Sequence, residues 1–108
     1  MKTSLPNATK AEKRRFKIMA EEIGCIACLM DNLGYNPPDI HHELSGGKRI
    51  SHSHTIPLCP ETHHKYGDIS VHQGIRKFEE KYSTEEYLRE LTNRAVADFE
   101  SRTIGGVG

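Results

Sequence analysis

Three cysteines and seven histidines, several of them at metal-ligand spacing, constrain this 108-residue chain more than any other feature. Two residues separate Cys25 from Cys28, and three residues separate Cys59 from His63. Two thiolates on a tight loop are spaced for tetrahedral Zn²⁺, and the second pair can complete a Cys3His site. His64 is the alternative to His63 as the fourth ligand. Such a site ties two distant loops together, which a small chain without tryptophan needs for stability.

The cysteine pattern also bears on the compartment. An odd number of cysteines fits poorly with a disulfide framework and favours metal binding in a reducing environment. A redox Cys-x-x-Cys usually begins a helix that follows a strand, whereas Cys25 follows a predicted helix. No apolar run approaches the roughly 20 residues of a membrane span, and the N-terminus lacks a signal-peptide core. We therefore predict a cytoplasmic protein that does not associate with membranes.

Hydrophobic periodicity predicts a single α+β domain over residues 1–104. An N-terminal helix over 8–23 begins with a Thr9–Glu12 capping box and ends at Gly24. Residues 25–38 contain two adjacent prolines and are predicted to form a loop.

The centre and the C-terminal part of the chain show different patterns. Strands are predicted over 39–44 and 49–58 around a Gly-Gly turn, within a central unit spanning 25–72 that also contains a short helix after Cys59. Further helices are predicted over 74–101, the second beginning with a Ser83–Glu86 capping box, and 105–108 are predicted to be a flexible tail.

The formal net charge is zero, so composition alone does not indicate a nucleic-acid partner. The charges are unevenly distributed, however, because basic residues cluster near the N-terminus. One face of the first predicted helix carries Lys10, Lys13, Arg14 and Lys17. This face is either a solvated surface of a packed helix or a surface that contacts DNA phosphates.

The histidines concentrate on the predicted hairpin and on the segment after it. In order along the chain they are His41, His42, His52, His54, His63, His64 and His72. Together with the cysteines, this order resembles the HNH (ββα-metal) nucleases, with a closer resemblance to the phage Ref-like family of recombination-enhancement, RecA-dependent nucleases. The similar segments are Cys25–Cys28, Ile40–His42, His52 ahead of Ile56–Cys59, His63–His64, and Ser70–His72 ahead of Phe78–Glu79. The general HNH pattern has a middle Asn and a second Cys-x-x-Cys, and members of the closer family resemble this chain in lacking both.

The resemblance implies a ββα-metal core with flanking helices and a structural zinc, and it implies roles for the histidines. His41 would bind the catalytic ion and His42 would be the general base. The middle, orienting position corresponds to His54 by general HNH spacing and to His52 by the spacing of the closer family. His64 would enter the catalytic site from the helix as a metal ligand.

Two further residues are candidate ligands of the catalytic ion. Helical spacing places Asp68 one turn beyond His64, and His72 lies in a nearby loop. His41 and His42 are neighbours on a strand, so both reach one site only if the strand bulges or twists there.

Phosphodiester hydrolysis suits these residue types. A neutral histidine can take a proton from water near pH 7, and one divalent ion can act as Lewis acid and stabilise the leaving group. We expect Mg²⁺ or Mn²⁺, with Zn²⁺ as an alternative. Lys48, Arg49 and Lys65 lie beside the hairpin and are candidates to hold phosphates.

The sequence thus predicts a metal-dependent DNA endonuclease, of phage or prophage origin and associated with recombination. A RecA-type filament as a partner follows from the resemblance alone. The alternative is a non-catalytic, zinc-stabilised module that binds nucleic acid or protein through the same cysteine site and basic helix.

Overall fold

The computed structural model describes residues 5–45, 47–64, 67 and 69–107. Helical elements come first, four short strands follow one another in the middle of the chain, and helical elements form the rest. In chain order the elements are α1 (Lys10–Ile18), a π-helical turn (Met19–Ile23), α2 (Ile26–Met30), β1 (Asp39–His42), β2 (Leu44–Ser45), β3 (Lys48–Arg49), β4 (Thr55–Leu58), a second π-helical turn (Pro60–His64), α3 (Ile75–Tyr82) and α4 (Glu85–Val107). The predicted α+β class is confirmed.

Helix α1 begins as its sequence predicts. The Thr9 hydroxyl accepts from the Glu12 backbone N–H at 3.2 Å, and the Glu12 carboxylate accepts from the Thr9 N–H at 2.9 Å. The π-helical turn that continues α1 ends at Gly24, which has φ +77°. This reversal places Cys25 so that its N–H donates to the Asn36 carbonyl at 3.0 Å.

Substitution of Gly24 by alanine is expected to lower stability by about 2–3 kcal/mol, since a positive φ strains any L-residue. A Cβ would also lie 2.7 Å from the Tyr35 ring and 2.9 Å from the Asn36 carbonyl oxygen. Gly34→Ala is the matched control, because Gly34 has φ +79° with nothing within 4 Å of the added carbon. Thermal unfolding should show a larger loss for Gly24→Ala, and equal losses would contradict the steric explanation.

The segment 25–38 differs from the predicted loop because it contains helix α2. The Cys25 thiol caps this helix by accepting from the Cys28 N–H at 3.4 Å. Pro37 and Pro38 lie well beyond the last helical residue and therefore do not prevent one helical turn.

The predicted hairpin forms two short antiparallel ladders. β1 pairs with β4, and His41 lies opposite Ile56 while His42 lies opposite Thr55. β2 pairs with β3 at the outer end. The returning strand predicted over 49–58 is interrupted between β3 and β4, where a turn stabilised by the Ser51 hydroxyl replaces extended backbone.

The C-terminal helices differ from prediction at their ends. Thr84 caps α4, since its hydroxyl accepts from the Tyr87 N–H at 3.1 Å, whereas Ser83 has φ 84° and terminates α3. Helix α4 continues to Val107, although it was predicted to end near Ser101 and to be followed by a flexible tail. Glycine weakens a helix by about 1 kcal/mol without blocking it sterically, so the glycines near this end do not stop the helix.

The buried side chains form two clusters, and α4 contributes to both. One surrounds the cysteines and includes Ile56, Leu58, Phe78, Tyr82 and Leu88. The other joins α1 and its π-helical turn to α4 through Ile18, Met19, Ile23 and Val96. No helix in the described part of the chain is long and apolar enough to cross a membrane.

Candidate functional site

Cys25, Cys28, Cys59 and His63 converge as one cluster whose ligand atoms all lie within 4.8 Å of one another. The Cys28 and Cys59 sulfurs are 3.7 Å apart, and the three sulfurs lie 3.3 to 3.5 Å from His63 Nδ1. A tetrahedral ion with bonds of about 2.3 Å to sulfur and 2.0–2.1 Å to nitrogen separates its ligands by roughly 3.4–3.8 Å. The four side chains could therefore hold one metal ion without rearrangement.

The surroundings of this cluster fit a cation as well. His63 Nε2 lies 2.9 Å from the Tyr82 hydroxyl, which donates to the Asp31 carboxylate at 2.6 Å. Because the Tyr82 hydroxyl donates its hydrogen bond to Asp31, its oxygen is free to accept from His63 Nε2–H. His63 then keeps the lone pair of Nδ1 toward the sulfurs. Burial lowers the pKa of His63 and raises the pKa of the Cys25 and Cys28 thiols, so thiolates here require a compensating positive charge.

A second cluster consists of His41, His64 and His72, whose ligand nitrogens also lie within 4.8 Å of one another. His41 comes from β1, His64 from the second π-helical turn, and His72 from the loop ahead of α3. The backbone positions the last two, because the His72 N–H donates to the His64 carbonyl at 3.0 Å. His41 and His64 are buried and His72 is exposed, so the cluster opens to solvent on one side.

Two carboxylates set the tautomers in this second cluster. His64 Nδ1 lies 2.9 Å from Asp39 Oδ2, and His41 Nε2 lies 2.7 Å from Glu85 Oε1. Each imidazole thus donates to its carboxylate and presents its other nitrogen, and these two nitrogens face each other at 3.2 Å. Two nitrogens bound to one ion at about 2.0–2.1 Å lie roughly 3.0–3.4 Å apart, so the facing lone pairs suit a shared cation.

His42 belongs to a separate chain of contacts that fixes its own tautomer. His52 Nε2 lies 2.7 Å from the Pro6 carbonyl oxygen and donates to it, which leaves His52 Nδ1 as an acceptor. His42 Nε2 lies 3.0 Å from that acceptor and donates to it. His42 Nδ1 then carries a lone pair; it is buried and has no hydrogen-bond partner among the described residues. Burial, with Arg49, His52 and His41 nearby, lowers the pKa of His42 to about 4, so the ring is neutral at pH 7.

One cavity of about 410 Å³ joins His42 to the three-histidine cluster. Its lining consists of Asp39, Ile40, His41, His42, Leu44, Arg49, His64 and His72. The β1–β4 register is continuous from Asp39 to His42, so this part of β1 contains no bulge. His41 and His42 point to opposite faces, toward Glu85 and toward His52 respectively, and the cavity is nevertheless lined by both.

Of the two candidates for the middle position, His52 contacts the His42 ring. The His54 ring instead contacts the Ser51 hydroxyl at 2.7 Å, and the His54 carbonyl accepts from the N–H of Glu43, the residue after His42. Asp68 and Lys65 lie outside the described residues.

The predicted phosphate contacts separate into two groups. Arg49 lines the cavity and Lys48 precedes it on β3, and both are exposed. The four basic residues of α1 are also exposed and border a shallow surface depression. Arg14 among them forms an ion pair with Glu100 of α4 at 2.8 Å.

Sequence reasoning missed the acidic partners of the clustered histidines. Asp39 begins the strand that carries the paired histidines, which is a usable signal for a carboxylate near the cluster, although the histidine it contacts is His64. Glu85 had no such signal, since α4 brings it to His41 from 44 residues away. The hydrogen bond between Tyr82 and Asp31 beside His63 could not be predicted from the sequence either, because these residues are 51 positions apart.

A family of known proteins matches most of the chain. Residues 8–97 match a family described as recombination enhancement, RecA-dependent nuclease. The chain belongs to this family. The resemblance seen in the sequence is thereby confirmed for the RecA-dependent nucleases, whose description names a nuclease linked to RecA and to recombination. No curated protein and no solved structure gives a significant match.

Proposed function

We propose that this chain is a metal-dependent DNA endonuclease of HNH type, with His42 as the general base. The observation that carries the proposal is that His42, whose buried Nδ1 has no hydrogen-bond partner among the described residues, lines the same cavity as the three-histidine cluster. A binding module has no use for a neutral base beside a set of metal ligands. The family description supplies the nuclease activity, and these residues supply its chemistry.

His42 acts on the attacking water. Its Nδ1 accepts the proton as the water oxygen attacks phosphorus, while the Nε2–H contact to His52 holds the ring in position. The hydrogen bond from His52 to the Pro6 carbonyl keeps His52 an acceptor. His52 therefore takes the orienting role, and the N-terminal segment takes part in positioning the base.

The catalytic ion would be held by His41, His64 and His72. An ion bound there supplies Lewis-acid polarisation of the phosphate and stabilisation of the leaving oxygen. Three imidazoles favour Mn²⁺, Co²⁺, Ni²⁺ or Zn²⁺ over Mg²⁺, and Asp68 remains a proposed ligand that would widen the tolerance to Mg²⁺. The order β1, β4 and the helical turn carrying His64 supports a ββα-metal unit.

The cysteine cluster would hold structural Zn²⁺. Its three thiolates and one imidazole fill a tetrahedral shell and leave no position for water, as in zinc sites that serve stability. Cys25 and Cys28 would attach α2 to the ion, while Cys59 and His63 would attach the end of β4 and the turn after it. The same turn carries His64, so the zinc would fix one ligand of the catalytic ion.

DNA would reach the cavity past Arg49, which lies beside His42 and can hold a phosphate. Lys48 and Lys65 are proposed to assist. Further phosphates would lie along the basic face of α1. We propose a RecA-type filament as the partner on DNA, and the cytoplasm of a bacterial host of the phage or prophage as the location.

Neutralising Lys10, Lys13 and Lys17 together by substitution with Gln is expected to weaken DNA binding evenly across sequences. The slope of log K against log salt should fall by about 2–3, since each phosphate contact contributes about 0.7–0.9. Fluorescence anisotropy between low and moderate salt measures this slope. The control is Arg76→Gln with Lys77→Gln on exposed positions of α3. An unchanged slope in the triple variant would make the α1 face merely a solvated surface.

Cleavage assays on supercoiled plasmid and single-stranded DNA test the proposed function. We expect cleavage with Mn²⁺ or Mg²⁺ and none with EDTA, and we expect a RecA filament to increase it. Cleavage unaffected by EDTA would exclude metal dependence. DNA binding without cleavage under every condition, by zinc-loaded protein, would favour the non-catalytic binding module.

A further inference from the structure

We infer that helix α4 is part of the active site: Glu85 positions His41 as a metal ligand, and the Arg89–Glu43 pair holds Glu85 in register with β1. This inference rests on the proposed function, because His41 needs positioning only if it binds the catalytic ion. The contacts are a 2.7 Å hydrogen bond from His41 to Glu85 and a 2.7 Å ion pair between Arg89 and Glu43.

The spacing of the four residues matches between the two elements. His41 and Glu43 are two positions apart and span about 6.6 Å of extended backbone. Glu85 and Arg89 are one helical turn apart and span about 6 Å along α4. The helix can therefore contact His41 and Glu43 at once only when it lies along this stretch of backbone.

The charges make this alignment specific. His41 near the end of β1 is a base and Glu43 just after the strand is an acid, whereas α4 presents an acid and then a base. A slip by one position of the pattern would place Glu85 against Glu43, two carboxylates in a largely buried setting. Such a slip is costly, so the Arg89–Glu43 pair selects the alignment in which Glu85 reaches His41.

The buried Glu43 carboxylate depends strongly on its ion pair with Arg89. It is 7% exposed, and its Oε2 is buried with no hydrogen-bond partner among the described residues. Removing Arg89 would leave a buried carboxylate without its ion-pair partner, which destabilises far more than the loss of a surface pair. The strand and α4 are thus fastened immediately beside His41 and His42.

Co²⁺ titration of the zinc-loaded protein tests the inference without using activity. Visible d–d bands report Co²⁺ on the histidines, and the absence of sulfur-to-cobalt charge transfer shows that the cysteine site keeps its zinc. We expect Glu85→Ala to weaken Co²⁺ binding by about 10–100-fold, as removal of a carboxylate behind a ligating histidine does. Glu85→Gln keeps an acceptor for His41 and should recover part of the loss, and exposed Glu86→Ala should bind as wild type does.

A second measurement covers the case in which Glu85→Ala does not fold. Arg89→Met is expected to lower the melting temperature, and Glu43→Gln added to it should restore part of the loss by removing the buried charge. Wild-type Co²⁺ affinity in a folded Glu85→Ala protein would overturn the positioning role. Failure of the wild-type protein itself to bind Co²⁺ outside the cysteine site would instead overturn the proposed function.

Discussion

Substitution of His42 by alanine is expected to reduce DNA cleavage by about 10²–10⁴-fold, the usual contribution of a general base. The reason is that His42 lines the cavity shared with His41, His64 and His72, and that its Nδ1 is buried with no hydrogen-bond partner among the described residues. Initial rates of plasmid nicking under saturating metal measure the effect. The variant should keep its melting temperature within a few degrees and its full content of zinc, since His42 contacts neither the cysteines nor His63.

The two middle-position histidines provide an internal comparison. His52→Ala removes the acceptor that orients His42 and should reduce cleavage less than His42→Ala does, since the base itself remains. His54→Ala removes a ring that contacts only Ser51 among its described side-chain partners, and we expect it to retain most of the activity. A His54→Ala loss equal to that of His42→Ala would instead support the general HNH spacing. Full activity of a folded His42→Ala protein would remove histidine base catalysis from the proposal.

The candidate metal-binding residues were recognisable because their types and spacings are local. Cys25-x-x-Cys28 and Cys59-x-x-x-His63 each lie on one turn, and metal geometry predicts that two such pairs meet. His41 and His64 were candidates because the family resemblance implied their roles, and His72 was a candidate because it lies in a nearby loop. The structure brings each of these sets together, within 4.8 Å in both clusters.

Features that depend on packing between distant elements could not be predicted from the sequence. The Glu85 carboxylate reaches His41 only because α4 packs against the β1–β4 ladder, and no periodicity within α4 distinguishes Glu85 from its exposed neighbour Glu86. The choice between His52 and His54 depended on the irregular turn that interrupts the returning strand. A regular strand places both on one face, whereas with the Ser51-centred turn His52 contacts the His42 ring and His54 contacts Ser51.

Helix α2 shows a different limit of prediction from the sequence. Composition over 25–38 indicates a loop, and the two prolines support that interpretation over most of the segment. Five residues at its start are helical because the Cys25 thiol caps them and because Cys28 packs against the cluster. Here the helix cap and the buried contact outweigh the low helix propensity of the segment.

Loss of the cysteine site is expected to have the largest effect on stability. Cys59→Ala leaves Cys25, Cys28 and His63 without their fourth ligand, and zinc binding in small domains contributes about 10–16 kcal/mol of folding free energy. The net stability of a domain is only about 5–15 kcal/mol, so the variant should be largely unfolded at 37 °C. Circular dichroism and zinc content by mass spectrometry measure this, and a strong chelator should produce the same unfolding in the wild-type protein.

The matched control for this effect is His72→Ala. His72 belongs to the other cluster and is exposed, so its loss should weaken binding of the catalytic ion and cleavage while leaving the fold and one tightly bound zinc intact. The two variants would thus separate a metal that holds the chain together from a metal that acts on DNA. A Cys59→Ala protein that is zinc-free and melts at the wild-type temperature would contradict the structural role, because the buried cluster around Ile56, Leu58 and Phe78 would then hold the fold without it.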